Sequence, residues 1–210
     1  ASNVNDILTR ALHHGDHSLA DVTPTMSPSM DIQISSNFER LLFDLYDRDA
    51  RQVCDLMERL RNDGGFELAG AALEAMRRLF DAERVDEQQT VDVMASVYRE
   101  SGQIVDPHTA VGVGAARRVG PRDPAVPMVV LSTAHPAKFP DAVAKAIGHR
   151  PDLPDHLADL YDRDERFDVL GSQSLSSRHT PGAVHVREEV PGVELDRTPP
   201  ELLGLPIVRW

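Results

Sequence analysis

Chemically active side chains follow a predicted strand in the second half of the chain. The polar residues of this stretch are Ser132, Thr133, His135 and Lys138. The β-branched run Val126–Leu131 before them predicts a strand, and the segment Ala137–Ile147 predicts an amphipathic helix. In open α/β sheets ligands bind outside the carboxyl ends of strands, where helix N-termini offer unpaired N–H groups. The pattern fits either such a crevice or an ordinary strand–helix unit with a hydroxyl N-cap.

His135 and Lys138 are one turn apart at this predicted helix start. A lysine ammonium and the positive end of a helix both attract anions, so phosphate binding is one interpretation. The alternative is a surface lysine beside a histidine that bonds a backbone carbonyl. The sequence leaves both open.

Polar side chains at two other predicted helix starts also fit either a structural role or a role in binding a ligand. Ser36 and Glu39 predict a capping box, yet the proline-containing loop before them is typical of functional loops, so a structural and a functional interpretation of Ser36 and Asn37 both stay open. Asp106 followed by proline predicts a second helix start. This structural role is enough to explain an aspartate at this position, with no need for a ligand. His108, in the first turn of that helix, is the other candidate.

Helical periodicity dominates the rest of the chain. The predicted helices lie between Asp6 and Gly15, Ser36 and Leu45, Asp49 and Asn62, Leu68 and Phe80, Asp86 and Gly102, Pro107 and Arg118, and Pro154 and Tyr161. Short strands are predicted at Met30–Ile34 and Phe167–Leu170. The expected fold class is a helix-rich α/β protein, with an α-helical excursion attached to a sheet.

Composition excludes several classes of partner. The formal net charge is −12 over 210 residues, which argues against nucleic acid and anionic membranes. No apolar run approaches the roughly 18 to 20 residues that span a bilayer. Cys54 is the single cysteine, and its helical surroundings predict a buried structural thiol in a reducing, cytoplasmic setting. The nine histidines form no metal-binding pattern.

Three motifs, in consistent order, resemble the carboxyl-terminal half of bacterial threonine synthase. They are SPSMDIQISSNFERLLF at Ser27–Phe43, DPHTAVG at Asp106–Gly112 and STAHPAKF at Ser132–Phe139. The resemblance implies a pyridoxal-phosphate (PLP) enzyme of the tryptophan-synthase-β type, fold type II. It also implies the conversion of O-phospho-L-homoserine and water to L-threonine and phosphate.

The resemblance assigns roles to residues of this chain. It places Thr133, with Ser132 beside it, at the cofactor, where a hydroxyl group at the pyridine nitrogen leaves that nitrogen unprotonated. The substrate-binding candidates that go with it are Ser36, Asn37, His108, His135 and Lys138.

Part of the family's machinery is not found in this sequence. The Ser-Phe-Lys-Asp type motif that carries the Schiff-base lysine does not occur, nor does the glycine-rich loop for the cofactor phosphate. Lys138 and Lys145 are the only lysines, and the family does not use the lysine of STAHPAKF for this purpose. We therefore expect no catalytic residue in this chain, an amino-terminal half as its missing partner, and no activity in isolation.

The resemblance covers residues 1–170, which we expect to be one portion of the enzyme. Residues 171–210 contain five prolines without sustained periodicity, which predicts an extended or disordered tail. Two other functions fit the same residues: a non-catalytic binding or regulatory module derived from the family, and a related PLP-dependent phospholyase.

Overall fold

A computed structural model describes residues 1–121 and 123–167. The described residues divide into two units, one within Ala1–Asp152 and one that begins at Leu153. The predicted strand at Phe167–Leu170 lies mostly outside the described residues, and the predicted tail lies wholly outside them. No helix among the described residues has the length and apolar character needed to cross a membrane.

Seven α-helices make up most of the regular secondary structure among the described residues. They are α1 (Ile7–His14), α2 (Phe38–Leu45), α3 (Ala50–Asp63), α4 (Gly70–Leu79), α5 (Glu87–Ser101), α6 (Pro107–Val119) and α7 (Pro140–Ile147). Several begin where the sequence predicts, because aspartate side chains accept hydrogen bonds from first-turn N–H groups. Asp49 caps α3, and Asp86 forms a capping box with Gln89 at the start of α5.

A two-stranded antiparallel sheet joins the first helices. Strand β1 (Asp16–Ser18) pairs with β2 (Gly65–Glu67), and His17 lies opposite Phe66. Gly15 ends α1 with φ +78°, a conformation that favours glycine, and its carbonyl accepts the N–H of Leu68. This glycine therefore turns the chain from α1 into the sheet.

Two groups of helices build separate parts of the core. Helices α1 to α4 and the sheet bury one set of apolar side chains, which comprises Ala11, Leu12, Leu42, Leu56, Leu60, Phe66, Leu68 and Met76. Helices α5, α6 and α7 meet around Met94, Ala110 and Val143. Val85, which precedes α5, packs against Val111 and Ala115 of α6. The second group positions the candidate site.

The predicted strands at Val126–Leu131 and Met30–Ile34 are not formed. A strand requires a neighbouring strand to satisfy its N–H and C=O groups, and the described residues place none beside either segment. Val126 and Leu131 are 59% and 77% exposed, so the apolar run that predicted a buried strand faces outward. A 3₁₀ turn at Pro28–Met30 replaces the start of the other strand.

Three further predictions are wrong in detail. The Ser36–Glu39 capping box is absent, because Asn37 takes the N-cap position and its side chain makes no capping bond. The helix expected from Ala137 begins at Pro140, after a separate 3₁₀ turn at Pro136–Lys138. Cys54 is exposed, because it lies on the face of α3 opposite the buried Leu56 and Leu60.

The helix predicted at Pro154–Tyr161 is two 3₁₀ turns, Asp155–Leu157 and Leu160–Asp162. They belong to the second unit.

Candidate functional site

Asp106 is the buried centre of the candidate site. It precedes α6, its side chain is 0% exposed, and its carboxylate accepts hydrogen bonds from the N–H groups of His108 and Thr109. Burial raises the pKa of Asp106, but the hydrogen bonds from His108 and Thr109 outweigh it, so the pKa lies below its ordinary value. A carboxylate is therefore held in the interior at neutral pH.

The His108 ring links Asp106 to the loop before α2. Its Nδ1 lies 2.8 Å from Oδ1 of Asp106, and its Nε2 accepts the N–H of Ser29 at 3.2 Å. Because Nε2 accepts, the ring carries its proton on Nδ1 and donates it to the carboxylate. The other side of the ring contacts Phe139 of the STAHPAKF motif, with centroids 4.7 Å apart. All three family motifs thus meet at this histidine, since Ser29 belongs to the motif Ser27–Phe43.

The Thr109 hydroxyl joins Asp106 to Thr133. Its oxygen makes a very short contact with Oδ2 of Asp106 and accepts the backbone N–H of Thr133 at 3.1 Å. The Thr133 hydroxyl lies 3.3 Å from the same oxygen. Thr109 is buried whereas Thr133 is exposed, so a buried carboxylate stands behind an accessible hydroxyl group.

Gly112 lets the segment that contains Thr133 lie close to α6. A Cβ atom at Gly112 would come within 3.2 Å of Cγ1 of Val130. Thr109 and Gly112 share one face of α6, and their partners Thr133 and Val130 are also three residues apart. The segment therefore runs antiparallel to the helix.

A second carboxylate holds the loop that reaches His108. Oδ1 of Asp31 accepts hydrogen bonds from the side chains of Asn3, Asn5 and Thr25, and Oδ2 accepts the N–H of Thr25. This network was not predicted from the sequence. The feature of the sequence that could have indicated this network is the pair of asparagines before α1. From the sequence alone, that pair suggests only the cap of a helix.

The structure leaves the other polar residues of the STAHPAKF motif at least partly accessible. Ser132 and His135 are exposed, and Nδ1 of His135 accepts the N–H of Ala137. Lys138 is half-buried, and within residues 1–121 and 123–167 its ammonium group has no hydrogen-bond or ion-pair partner. His135 precedes a 3₁₀ turn that Lys138 ends, and neither residue opens an α-helix, so the helix dipole does not favour an anion there.

Ser36 and Asn37 belong to a different part of the fold. Both are exposed at the start of α2, whose apolar face packs into the core of α1 to α4. In the described part of the chain, no side-chain hydrogen bond connects either residue to the Asp106–Thr133 group. The structure thus brings together Thr133 and His108, but not the whole predicted set.

Comparison with known proteins identifies relatives of this arrangement. A family model described as "Threonine synthase, C-terminal" matches residues 109–179. Threonine synthase of Pseudomonas aeruginosa is 48% identical over 174 residues, which cover 82% of this chain and 37% of that protein.

Solved structures show the same relationship. A crystal structure of PLP-bound threonine synthase from Brucella melitensis is 50% identical in sequence, with a TM-score of 0.77. The superposition covers 81% of this chain and 36% of the Brucella chain. The structure of threonine synthase from yeast gives a TM-score of 0.71 at 36% identity. That superposition covers 79% of this chain and 37% of the yeast chain.

These matches relate the chain both to a fold and to a family of enzymes. By fold it is a helix-rich α/β portion of the kind found in PLP-dependent enzymes of this type. By sequence it is similar to the carboxyl-terminal part of threonine synthases. The chain spans a little over a third of the length of the relatives it matches.

Proposed function

We propose that this chain forms the carboxyl-terminal part of a PLP-dependent threonine synthase of the cytoplasm. The reaction converts O-phospho-L-homoserine and water to L-threonine and phosphate. The observation that carries the proposal is the position of Thr133 in its STAHPAKF motif, where an exposed hydroxyl group stands in front of the buried Thr109 and Asp106. The relatives named threonine synthase support the choice of substrate.

The hydroxyl group of Thr133 fits the ring nitrogen of PLP chemically. It is neutral and accessible, and it can donate its proton to an unprotonated pyridine nitrogen. PLP supplies an electron sink for the cleavage of bonds at the substrate α-carbon. A hydroxyl partner, unlike a carboxylate, does not hold a proton on the ring nitrogen. Exposed Ser132 lies next to Thr133 and is the second proposed cofactor contact.

Lys138 and His135 are proposed to bind the substrate phosphate. The Lys138 ammonium has no partner among the described residues and is half-buried, so an anion would satisfy it. When Nδ1 of His135 accepts the Ala137 N–H, Nε2 carries the ring proton and can donate it outward. Exposed Ser36 and Asn37 at the start of α2 are proposed as further polar contacts to the substrate.

His108 has an internal role that supports the same site. Both of its ring nitrogens are engaged, by Asp106 and by the Ser29 N–H, and the residue is only 9% exposed. A direct contact with substrate would have to replace one of these bonds. We therefore assign to His108 the task of holding the Ser29 loop against α6.

An amino-terminal part is the proposed partner of this chain. The apolar residues Val126, Met128, Val129 and Leu131 are between 49% and 77% exposed, and together they form an unusual run of apolar surface. A strand from another part of the enzyme would pair with this extended segment and cover those side chains. The same part would supply the lysine that carries the cofactor and moves protons at the substrate carbons.

The proposal is tested by joining this chain to the amino-terminal part of the Brucella melitensis relative. The chain alone and the joined protein are each incubated with PLP, reduced with borohydride and weighed as intact molecules. We expect a stoichiometric adduct and phosphate release from O-phosphohomoserine only with the joined protein. A stoichiometric adduct at Lys138 of the isolated chain would contradict the assignment of roles.

Two substitutions sharpen this test. Leu131→Asp places a charge on the proposed covered surface and should prevent activity in the joined protein while leaving the stability of the isolated chain unchanged. Leu79→Asp is the matched control, because Leu79 is 64% exposed and lies at the end of α4, outside the apolar run. Equal activity of the two variants would contradict the proposed partner surface.

A further inference from the structure

The single hydroxyl proton of Thr109 has a defined direction. A hydroxyl group has one proton to donate, and an ionised carboxylate can only accept. The Thr109 oxygen contacts Oδ2 of Asp106, which is fully buried and whose pKa is held low by its hydrogen bonds. Thr109 therefore donates to Asp106 and has only acceptor capacity left for its other neighbours.

Both remaining contacts of the Thr109 oxygen are with Thr133. The backbone N–H of Thr133 donates to it at 3.1 Å, a normal hydrogen-bond distance. The Thr133 hydroxyl is 3.3 Å away, longer than the roughly 2.7 to 2.8 Å typical of O–H···O bonds. The backbone of Thr133 is thus firmly held, while its hydroxyl is held only loosely.

This arrangement leaves the hydroxyl proton of Thr133 available. Thr109 has no proton to give in the contact between the two hydroxyl groups, so Thr133 is the donor there. A better acceptor in front of Thr133 would draw that proton away from the long 3.3 Å contact. The close approach of Val130 to Gly112 keeps the segment on the same face of α6 as Thr109.

We propose that Thr109, backed by Asp106, is the positioning residue that fixes Thr133 and directs its hydroxyl proton toward an aromatic ring nitrogen. The inference rests on the proposed function, because that nitrogen belongs to PLP. Thr109 itself touches neither cofactor nor substrate, since it is buried behind Thr133. It acts through the Thr133 backbone.

The test compares three substitutions at Thr109 with one control. Thr109→Val and Thr109→Ala remove the hydroxyl, and Thr109→Ser keeps it. Thr90→Val is the control, because Thr90 is also buried, and its hydroxyl donates to the Asp86 carbonyl at the start of α5 without contact to Thr133. The alanine variant carries the test if valine prevents folding.

Two measurements are made on each variant. Hydrogen exchange of the Thr133 amide is followed by NMR in the 210-residue chain without cofactor, and PLP affinity is measured by absorbance titration of the joined protein. Loss of one hydrogen bond should accelerate exchange and weaken PLP binding by about tenfold each in the valine and alanine variants. The Thr109→Ser and Thr90→Val proteins should stay within about threefold of the wild type.

Each contrary result has a separate meaning. Unchanged exchange of the Thr133 amide in Thr109→Val would overturn the positioning contact. Faster exchange with unchanged PLP affinity would overturn its role toward the cofactor. Failure of the wild-type joined protein to bind PLP would instead overturn the proposed function, and the inference with it, whatever the exchange data show.

Discussion

The Thr109 hydroxyl oxygen accepts the backbone N–H of Thr133 over 3.1 Å, although 24 positions separate the two residues. The contact joins the first turn of α6 to the segment that carries the STAHPAKF motif. It gives an exposed hydroxyl group a fixed backbone and a buried carboxylate behind it.

Asp106→Asn should destabilise the protein by about 2–3 kcal/mol at pH 7, because an amide NH₂ group would face the donors of His108 and Thr109. The pKa of Asp106 is lowered in the folded protein, so its contribution is complete above the unfolded value of about 3.9 and is lost as the pH falls through the folded value. Urea unfolding at pH 7, 5 and 3 measures this.

The difference between wild type and Asp106→Asn should therefore shrink toward acid pH. Asp55→Asn is the control, since Asp55 is exposed on α3 and the substitution should have little effect at any pH. A difference that stays constant from pH 7 to pH 3 would contradict an ionised Asp106.

Gly15→Ala should cost more than about 3 kcal/mol, since it combines a left-handed backbone with a clash. Gly15 has φ +78°, and an added Cβ would lie 2.1 Å from the carbonyl oxygen of Leu68. Gly64→Ala is matched to it, with φ +76° but nothing within 4 Å of the added atom, and should cost only about 1 kcal/mol. Thermal unfolding of both variants measures the difference, and equal losses would refute the close approach.

His17 should make stability depend on pH near neutrality. Its ring is stacked between Phe38 and Phe66, and neither ring nitrogen has a hydrogen-bond partner among the residues that the structure describes. Burial lowers the pKa of His17 below its ordinary value of about 6.5, so the unfolded chain binds the proton first. Stability should fall as the pH drops below about 6.5, by at most about 1.4 kcal/mol per pH unit.

His17→Leu should abolish that pH dependence, which denaturation at pH 5, 6 and 7.5 would measure. The exposed His14 provides the control, and His14→Gln should retain the slope of the wild type. A slope that survives in His17→Leu would assign the titration to another group.

Cys54 should react with a thiol reagent in the folded protein. Its side chain is exposed on α3, and it is the single cysteine of the chain. Ellman's reagent should modify one thiol per chain at nearly the same rate with and without denaturant, and Cys54→Ser should give no reaction. A rate that rises by orders of magnitude on unfolding would show that the thiol is buried after all.

Local signals in the sequence predicted most helix boundaries. Asp49, Asp86 and Asp106 begin helices because a carboxylate meets first-turn N–H groups that have no partner within the helix. Gly15 and Gly102 end helices because they adopt a left-handed backbone at little cost. These effects act over a few residues, so the sequence reveals them.

The same local rules failed where the outcome depends on distant groups. The run Val126–Leu131 has the composition of a buried strand, yet strand formation requires a partner that composition does not supply. The exposure of Cys54 depends on which face of α3 packs against α2 and β2, and a single residue within a helix does not reveal that.

The helical framework, the acidic character and the three motifs that relate the chain to threonine synthase can all be inferred from the order of the amino acids. Three other features became clear only in the folded structure. Thr109 and Asp106 lie behind Thr133, and Nε2 of His108 accepts the Ser29 N–H. Most side chains of the apolar run Val126–Leu131 are exposed. The two kinds of feature differ in how far apart along the chain the interacting groups lie. Caps and helical periodicity arise within one or two turns, whereas these contacts form only when segments far apart in the chain pack together.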